Sequence, residues 1–258
     1  MAGSAALPHK TLTVAALLLL PFTGFASADD DLQEQPAGST AAIISKYLQA
    51  TQTHEDALRG ASMEVDINAD VPSLKQHGRL RALRKISKVG QITYHVLGFQ
   101  GDNTVKNQVI ARYLQAEQQG QGDQSLAITP GNYKFKFKGQ KADNGEQVYV
   151  FQLSPRKKKV GLFKGEMWLD AQTCLPVLEK GRFVKNPSIF FKKVDFERDF
   201  AIQDGRAIPH SMTSTIQVRL IGKVELSINY SKFEKNNGAD DDEQAGTESA
   251  TVANPEAK

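Results

Sequence analysis

Apolar and polar residues alternate in twos along most of the chain from about residue 61 onward. Met63, Val65 and Ile67 are separated by Glu64 and Asp66, and Tyr133, Phe135 and Phe137 by Lys134 and Lys136. A period of two sends successive side chains to opposite faces of a strand, so these segments predict strands with one oily and one charged face. The same rhythm runs through GRLRALRKI, QITYHVLGF, QVYVFQLS, GLFKGEMWLD, LPVLEKGRFV, IFFKKVDFERDF, RAIPHSMTSTIQVRL and KVELSINYSKF. Asn144-Gly145, Asp204-Gly205 and Gly222 are hairpin signals between them. Short turns between consecutive strands imply antiparallel neighbours, and this many strands in one domain must curl.

The period changes to that of a helix in two places. In AAIISKYLQATQTHEDALRG, Ile43, Ile44, Tyr47, Leu48 and Leu58 share a face, with Ser39 or Thr40 as the N-cap and Gly60 as the stop. In NTVKNQVIARYLQAEQQG, Val105, Val109, Ile110, Tyr113 and Leu114 do the same. The predicted fold class is therefore mainly β (α+β): a strongly curved antiparallel sheet with about two helices against its inner side.

The ends of the chain read differently. Residues 1–28 carry a basic start, the run TLTVAALLLLPFTGF and a small-x-small site ending at Ala28, which predicts a secretory signal peptide cleaved after Ala28, with a retained anchor as the alternative. Residues 29–40 read as a linker, 41–235 as the folded domain, and 236–258 as a disordered acidic tail with almost no large apolar side chain. Charge sharpens this division. The whole chain carries a formal +3, whereas Gln35 to Lys235 holds 30 Lys and Arg against 19 Asp and Glu, a net of +11. A basic exported body points to anionic partners, phospholipid or lipopolysaccharide head groups among them, and away from nucleic acid.

Candidate chemistry adds little. Cys174 is the only cysteine, so no internal disulfide can form, and it reads as a packed or turn residue rather than a nucleophile. His54, His77, His95 and His210 show no metal-pair spacing, and no nucleophile elbow or phosphate loop is present, so no cofactor, no metal and no enzyme activity are expected. Asp195, Glu197 and Asp199, with Lys192, Lys193 and Arg198 nearby, read as a solvated, ion-paired outer surface. Two strands are oily on both faces: Val148 and Val150 oppose Tyr149, Phe151 and Leu153, and Leu162 and Trp168 oppose Phe163, Met167 and Leu169. Either neighbouring elements cover both faces, or two short helices leave a hollow lined by Phe135, Phe137, Tyr149, Phe151, Met167, Phe190 and Phe196, which would suit an acyl chain. The run Pro155 to Lys159 predicts a hairpin tip on which Arg156, Lys157, Lys158 and Lys159 are either plain solvated charge or a docking site for anionic lipid or an acidic partner.

Taken together, the YLQA turn of the first helix, RYLQAEQQ in the second, YVFQLSPRKKK, and above all GEMWLDAQTCLPV resemble the LolA-like superfamily of periplasmic lipoprotein carriers over most of Ala41 to Phe233. The resemblance implies an unclosed β-barrel wrapped around helices, with an apolar cavity that holds the acyl chains of a lipoprotein or lipid during transfer across the periplasm to the outer membrane, and no reaction catalysed. The expected partners are lipid or lipoprotein acyl chains and an anionic membrane surface or a membrane-protein donor and acceptor, and the chain is expected to be a monomer. The alternative within the family is a sensory or regulatory module, like the LolA-like half of the sigma-factor regulator RseB, acting through a membrane-protein partner. Met167 and Leu169 would face inward and Asp170 to Thr173 would turn the chain. The family pattern commonly has glycine after that threonine, where this chain has Cys174.

Overall fold

The computed structural model describes residues 37–120, 122–143, 145–186, 191–219 and 222–235. The predicted signal peptide and tail, together with Asn144 and Phe190, lie outside the described residues.

Helix α1 (Ala37–Leu58) leads into ten strands: β1 (Ala61–Val71), β2 (Gln76–Ile86), β3 (Ile92–Gly101), β4 (Tyr133–Asp143), β5 (Glu146–Pro155), β6 (Phe163–Asp170), β7 (Pro176–Phe183), β8 (Phe191–Gln203), β9 (Arg206–Val218) and β10 (Gly222–Lys235). They form one sheet in the order β3-β2-β1-β10-β9-β8-β7-β6-β5-β4, every adjacent pair antiparallel. β3 and β4 are its two edges and do not pair, so the barrel stays open. The segment between these edges carries α2 (Asn103–Val105), a π-helical turn (Lys106–Ile110) and α3 (Ala111–Gly120).

Each predicted strand is present. Alternation fixes the faces: Met63, Val65, Ile67, Ala69 and Val71 are all buried, and register brings Leu80 and Ala82 of β2 and Leu226 and Ile228 of β10 beside them. Ile43 and Tyr47 of α1 and Val105 and Ile110 of the second helical segment join the same core. Each such side chain contributes about 1.5–3 kcal/mol on leaving water. Leu83→Asp would leave this core alone, because Leu83 points the other way; Ile67→Asp would break it.

Turn chemistry matches the sequence. Asp204 and Gly205 both have positive φ (50° and 69°), the pairing a two-residue hairpin loop needs. Gly60 (φ 78°) ends α1, its N–H donating to the Ile86 carbonyl. The helix starts at Ala37, ahead of the predicted caps at Ser39 or Thr40, which therefore lie within its first turn.

Curvature has local causes. Six register shifts interrupt the ladders among the described residues, and each added residue increases coiling. The tightest approach is between β6 and β7, where Gly165 pairs with Gly181. A Cβ on Gly181 would lie 2.5 Å from the Lys164 carbonyl oxygen, and one on Gly165 would collide with that of Lys180. No side chain fits at this bend.

Candidate functional site

The inner face of β4, β5 and β6 carries an aromatic cluster. Phe135 and Phe137 pack on Phe151 and Tyr149 on Phe137, with ring centroids 6.1 Å apart for Phe135–Phe151, 5.3 Å for Phe137–Phe151 and 6.2 Å for Phe137–Tyr149. Tyr47 of α1 closes over it, 6.4 Å from Phe135. Phe151 pairs with Met167 and Tyr149 with Leu169, so five of the seven residues predicted to line the hollow are brought together with Leu169, which was predicted to face inward. They differ in access. Phe151, Met167 and Leu169 are fully buried, whereas Phe135 and Phe137 on the edge strand β4 and Tyr149 on β5 are half-buried.

Phe196 belongs to the same core but touches other rings. It stacks on Phe183 at 5.2 Å and meets Phe163 edge-on at 4.9 Å. With Phe183 and Val184 it lines an open groove of about 620 Å³, rimmed by Lys164, Lys180 and Arg182 on one hand and Asp195 and Glu197 on the other.

The same concave face holds charged groups that the alternation reading passed over. Arg84 of β2 is buried, its Nε and Nη2 donating to Glu117 Oε1 of α3 at 3.3 and 3.1 Å, while the Tyr94 hydroxyl donates to Glu117 Oε2. Burial and the nearby Glu117 carboxylate raise the Tyr94 phenol well above its ordinary value. Farther along, Arg198 Nη1 of β8 donates to Glu179 Oε2 of β7 at 3.2 Å. Burial pushes the Glu179 carboxyl up against the opposing pull of Arg198. The Tyr113 hydroxyl of α3 reaches the Met212 sulfur at 3.5 Å, and burial raises both Tyr113 and Tyr230. Placing Arg198 on the solvated outer surface was incorrect: it shares parity with Phe196 and pairs with inward Met212, whereas Asp195 does face out, bonded to Arg182 and Lys193. The overlooked signal is a charge at an apolar phase: Arg84 after Leu80 and Ala82, Arg198 after Val194 and Phe196, and Glu117 after Tyr113 and Leu114.

On the opposite face, Val148, Val150 and Leu178 are buried too, so the two-sided strands are covered on both faces. Trp168 lies there, half-buried, with Lys141 Nζ 3.7 Å and Lys180 Nζ 4.6 Å from its ring centroid and its Nε1 donating to Glu166. The turn after β6 is held by Asp170, whose Oδ1 accepts from the Thr173 N–H at 2.7 Å and from its hydroxyl at 2.6 Å. Cys174 follows, buried and left-handed (φ 57°). Burial raises its thiol pKa.

All four cations of the predicted tip between β5 and β6 are exposed. Arg156 donates to the Pro130 carbonyl at 2.7 Å, and Lys159 pairs with Asp123 at 2.9 Å, while Lys157 and Lys158 have no ion pair among the described residues. Hydrogen bonds from Ser125 and then the Lys159 ammonium hold the Asp123 carboxyl at about 2. Among the described residues no group of three or more His, Cys, Asp or Glu is placed to hold a metal ion, and no helix is long and apolar enough to cross a membrane.

No protein-family model matches the chain, and no curated protein sequence matches it. Solved structures do. A DUF1329 family protein from Desulfovibrio piger is 12% identical with a TM-score of 0.44, covering 78% of this chain and 94% of its own. A LolA superfamily protein from Nitrosomonas europaea is 10% identical with a TM-score of 0.35, covering 77% and 94%. A domain assigned to outer-membrane lipoprotein sorting, from Vibrio parahaemolyticus, is 14% identical with a TM-score of 0.37, covering 76% and 95%. The family suggested by the sequence thus recurs among the neighbours. With TM-scores below 0.5, the likenesses decide neither ligand nor partner, and the fold rests on the sheet itself.

Proposed function

We propose that this chain is an exported carrier that holds the acyl chains of lipoproteins or lipids on the concave face of the sheet and moves them through the periplasm toward the outer membrane. The observation that supports this reading is the graded aromatic cluster at β4: half-buried Phe135 and Phe137 on the edge strand and Tyr149 on β5 lead to sealed Phe151, Met167 and Leu169 beneath Tyr47 of α1. An acyl chain entering between α1 and β4 replaces ring-on-ring contacts with equally apolar ones, so its burial of roughly 0.8 kcal/mol per methylene offsets the displacement of the helix. The Arg156–Lys159 tip would dock on anionic head groups.

Native mass spectrometry of the chain isolated from the periplasm of its host tests the reading. Mass increments of lipid or lipoprotein, together with binding of a fluorescent fatty acid that Phe137→Asp abolishes, are expected. A lipid-free protein that takes up no acyl probe would overturn it. Crosslinking in cells from position 137 should trap several lipoproteins; one dominant membrane protein instead would make the chain a sensor rather than a carrier.

A further inference from the structure

Among the described residues the concave face holds two arginine–carboxylate pairs, and they are built differently. Arg84 is closed: two of its nitrogens bind Glu117, Nη1 approaches the Met63 sulfur, and its side chain is 9% exposed. Arg198 is open. It pairs across β7 and β8 with Glu179, flanked by Met167 on β6 and Met212 on β9, and only Nη1 has a hydrogen-bond acceptor among the described residues. Its side chain stays 40% exposed while that of Glu179 is 10% exposed. The Tyr113 hydroxyl, 3.5 Å from the Met212 sulfur and hydrogen-bonded with the Tyr230 hydroxyl, lies beside it, so that a ligand head would take over an existing tyrosine pair.

A guanidinium among methionines and tyrosines is unfavourable unless its donors are used. Glu179 fixes one nitrogen of the group and leaves the rest of the donor fork without an acceptor among the described residues. Arginine in this setting suits a carboxylate or phosphate, which can take two of its N–H groups at once. We propose that Arg198, with Tyr113 and Tyr230, receives the anionic head of a single-chain amphiphile, a carboxylate or a phosphate monoester. The aromatic cluster of β4 lies four strand spacings from β8, roughly 19 Å, within reach of a long acyl chain anchored at Arg198. This inference rests on the carrier reading and adds to it the class of ligand head.

Equilibrium binding of four ligands to the full chain tests it: oleate against methyl oleate, and oleoyl lysophosphatidate against monoolein. At least one acidic ligand should bind about tenfold or more tightly than its neutral counterpart, as charge-assisted hydrogen bonds require, and the tighter of the two acids identifies the head. Replacing the pair in R198M/E179Q should erase that preference, and R198K should keep part of it. Equal binding of acid and neutral ligand in both series, or a preference unchanged in R198M/E179Q, overturns the proposal while leaving the carrier standing. Binding of none of the four overturns both. Should R198M/E179Q fail to fold, the native comparison alone decides.

Discussion

At the scale of single residues, backbone conformation and charge make separable predictions. Cys174 has φ 57° where glycine would be unstrained, a conformation that disfavours an L-residue by about 1–2 kcal/mol, yet its side chain is buried. Cys174→Gly relieves the strain and loses a comparable amount of burial, so its unfolding free energy should lie within about 1 kcal/mol of the native value. Cys174→Val puts a branched, larger side chain at the same φ and should be about 2–3 kcal/mol less stable than Cys174→Gly by urea unfolding. Equal midpoints would mean that the turn relaxes. Asp123 offers a pH test. Its folded pKa of about 2 lies below the ordinary 3.8, so its contribution is present above 3.8 and disappears as pH falls through about 2. In an NMR titration, Lys159→Ala should move the Asp123 carboxyl part of the way back, because the Ser125 bonds remain.

Among the elements, α3 depends on a pair that alternation did not reveal. Glu117→Ala leaves Arg84 buried without its carboxylate and should destabilise the protein by about 3–5 kcal/mol, whereas R84M/E117L, which replaces both charges with apolar volume, should recover most of that loss in the same denaturant series. An E117A variant as stable as the native protein would mean that water reaches Arg84. The contrast explains what could be read from the sequence. Strands such as Met63–Val65–Ile67 were legible because one face is uniformly apolar and a one-residue slip would expose it. Arg198 was misplaced because its immediate neighbours Glu197 and Asp199 are charged and outward, and neighbour charge outweighed parity. Parity was the better guide: residues two apart share a face and adjacent ones do not. The separation of Phe196 from the β4 cluster was not legible, since it depends on how sharply β6 and β7 bend at Gly165 and Gly181.

For the molecule as a whole, the governing quantity is the uneven distribution of charge. The body from Gln35 to Lys235 carries +11, while residues 236–258 hold six Asp and Glu against one Lys, a net of −5. At the tip, Asp123 holds Lys159 and leaves Lys157 and Lys158 outward, beside exposed Val160 and on the same sheet as exposed Lys134, Lys136 and Lys138 of β4. Each basic group near an anionic bilayer is worth about 1 kcal/mol, and the attraction fades beyond a screening length of about 8–10 Å. The chain should therefore sediment with phosphatidylglycerol vesicles at low salt and leave them as salt rises, with little binding to phosphatidylcholine. K157E/K158E should weaken that binding by about tenfold or more. Ending the chain at Lys235 removes the negative segment and should strengthen binding, because those carboxylates compete with lipid phosphates for the same cations. If truncation leaves the salt profile unchanged while K157E/K158E abolishes binding, the tip alone sets the contact. If neither change alters sedimentation, the contact is made by other exposed cations, such as Lys134, Lys136 and Lys138, and if the native chain does not sediment at all, the basic face does not meet a bilayer.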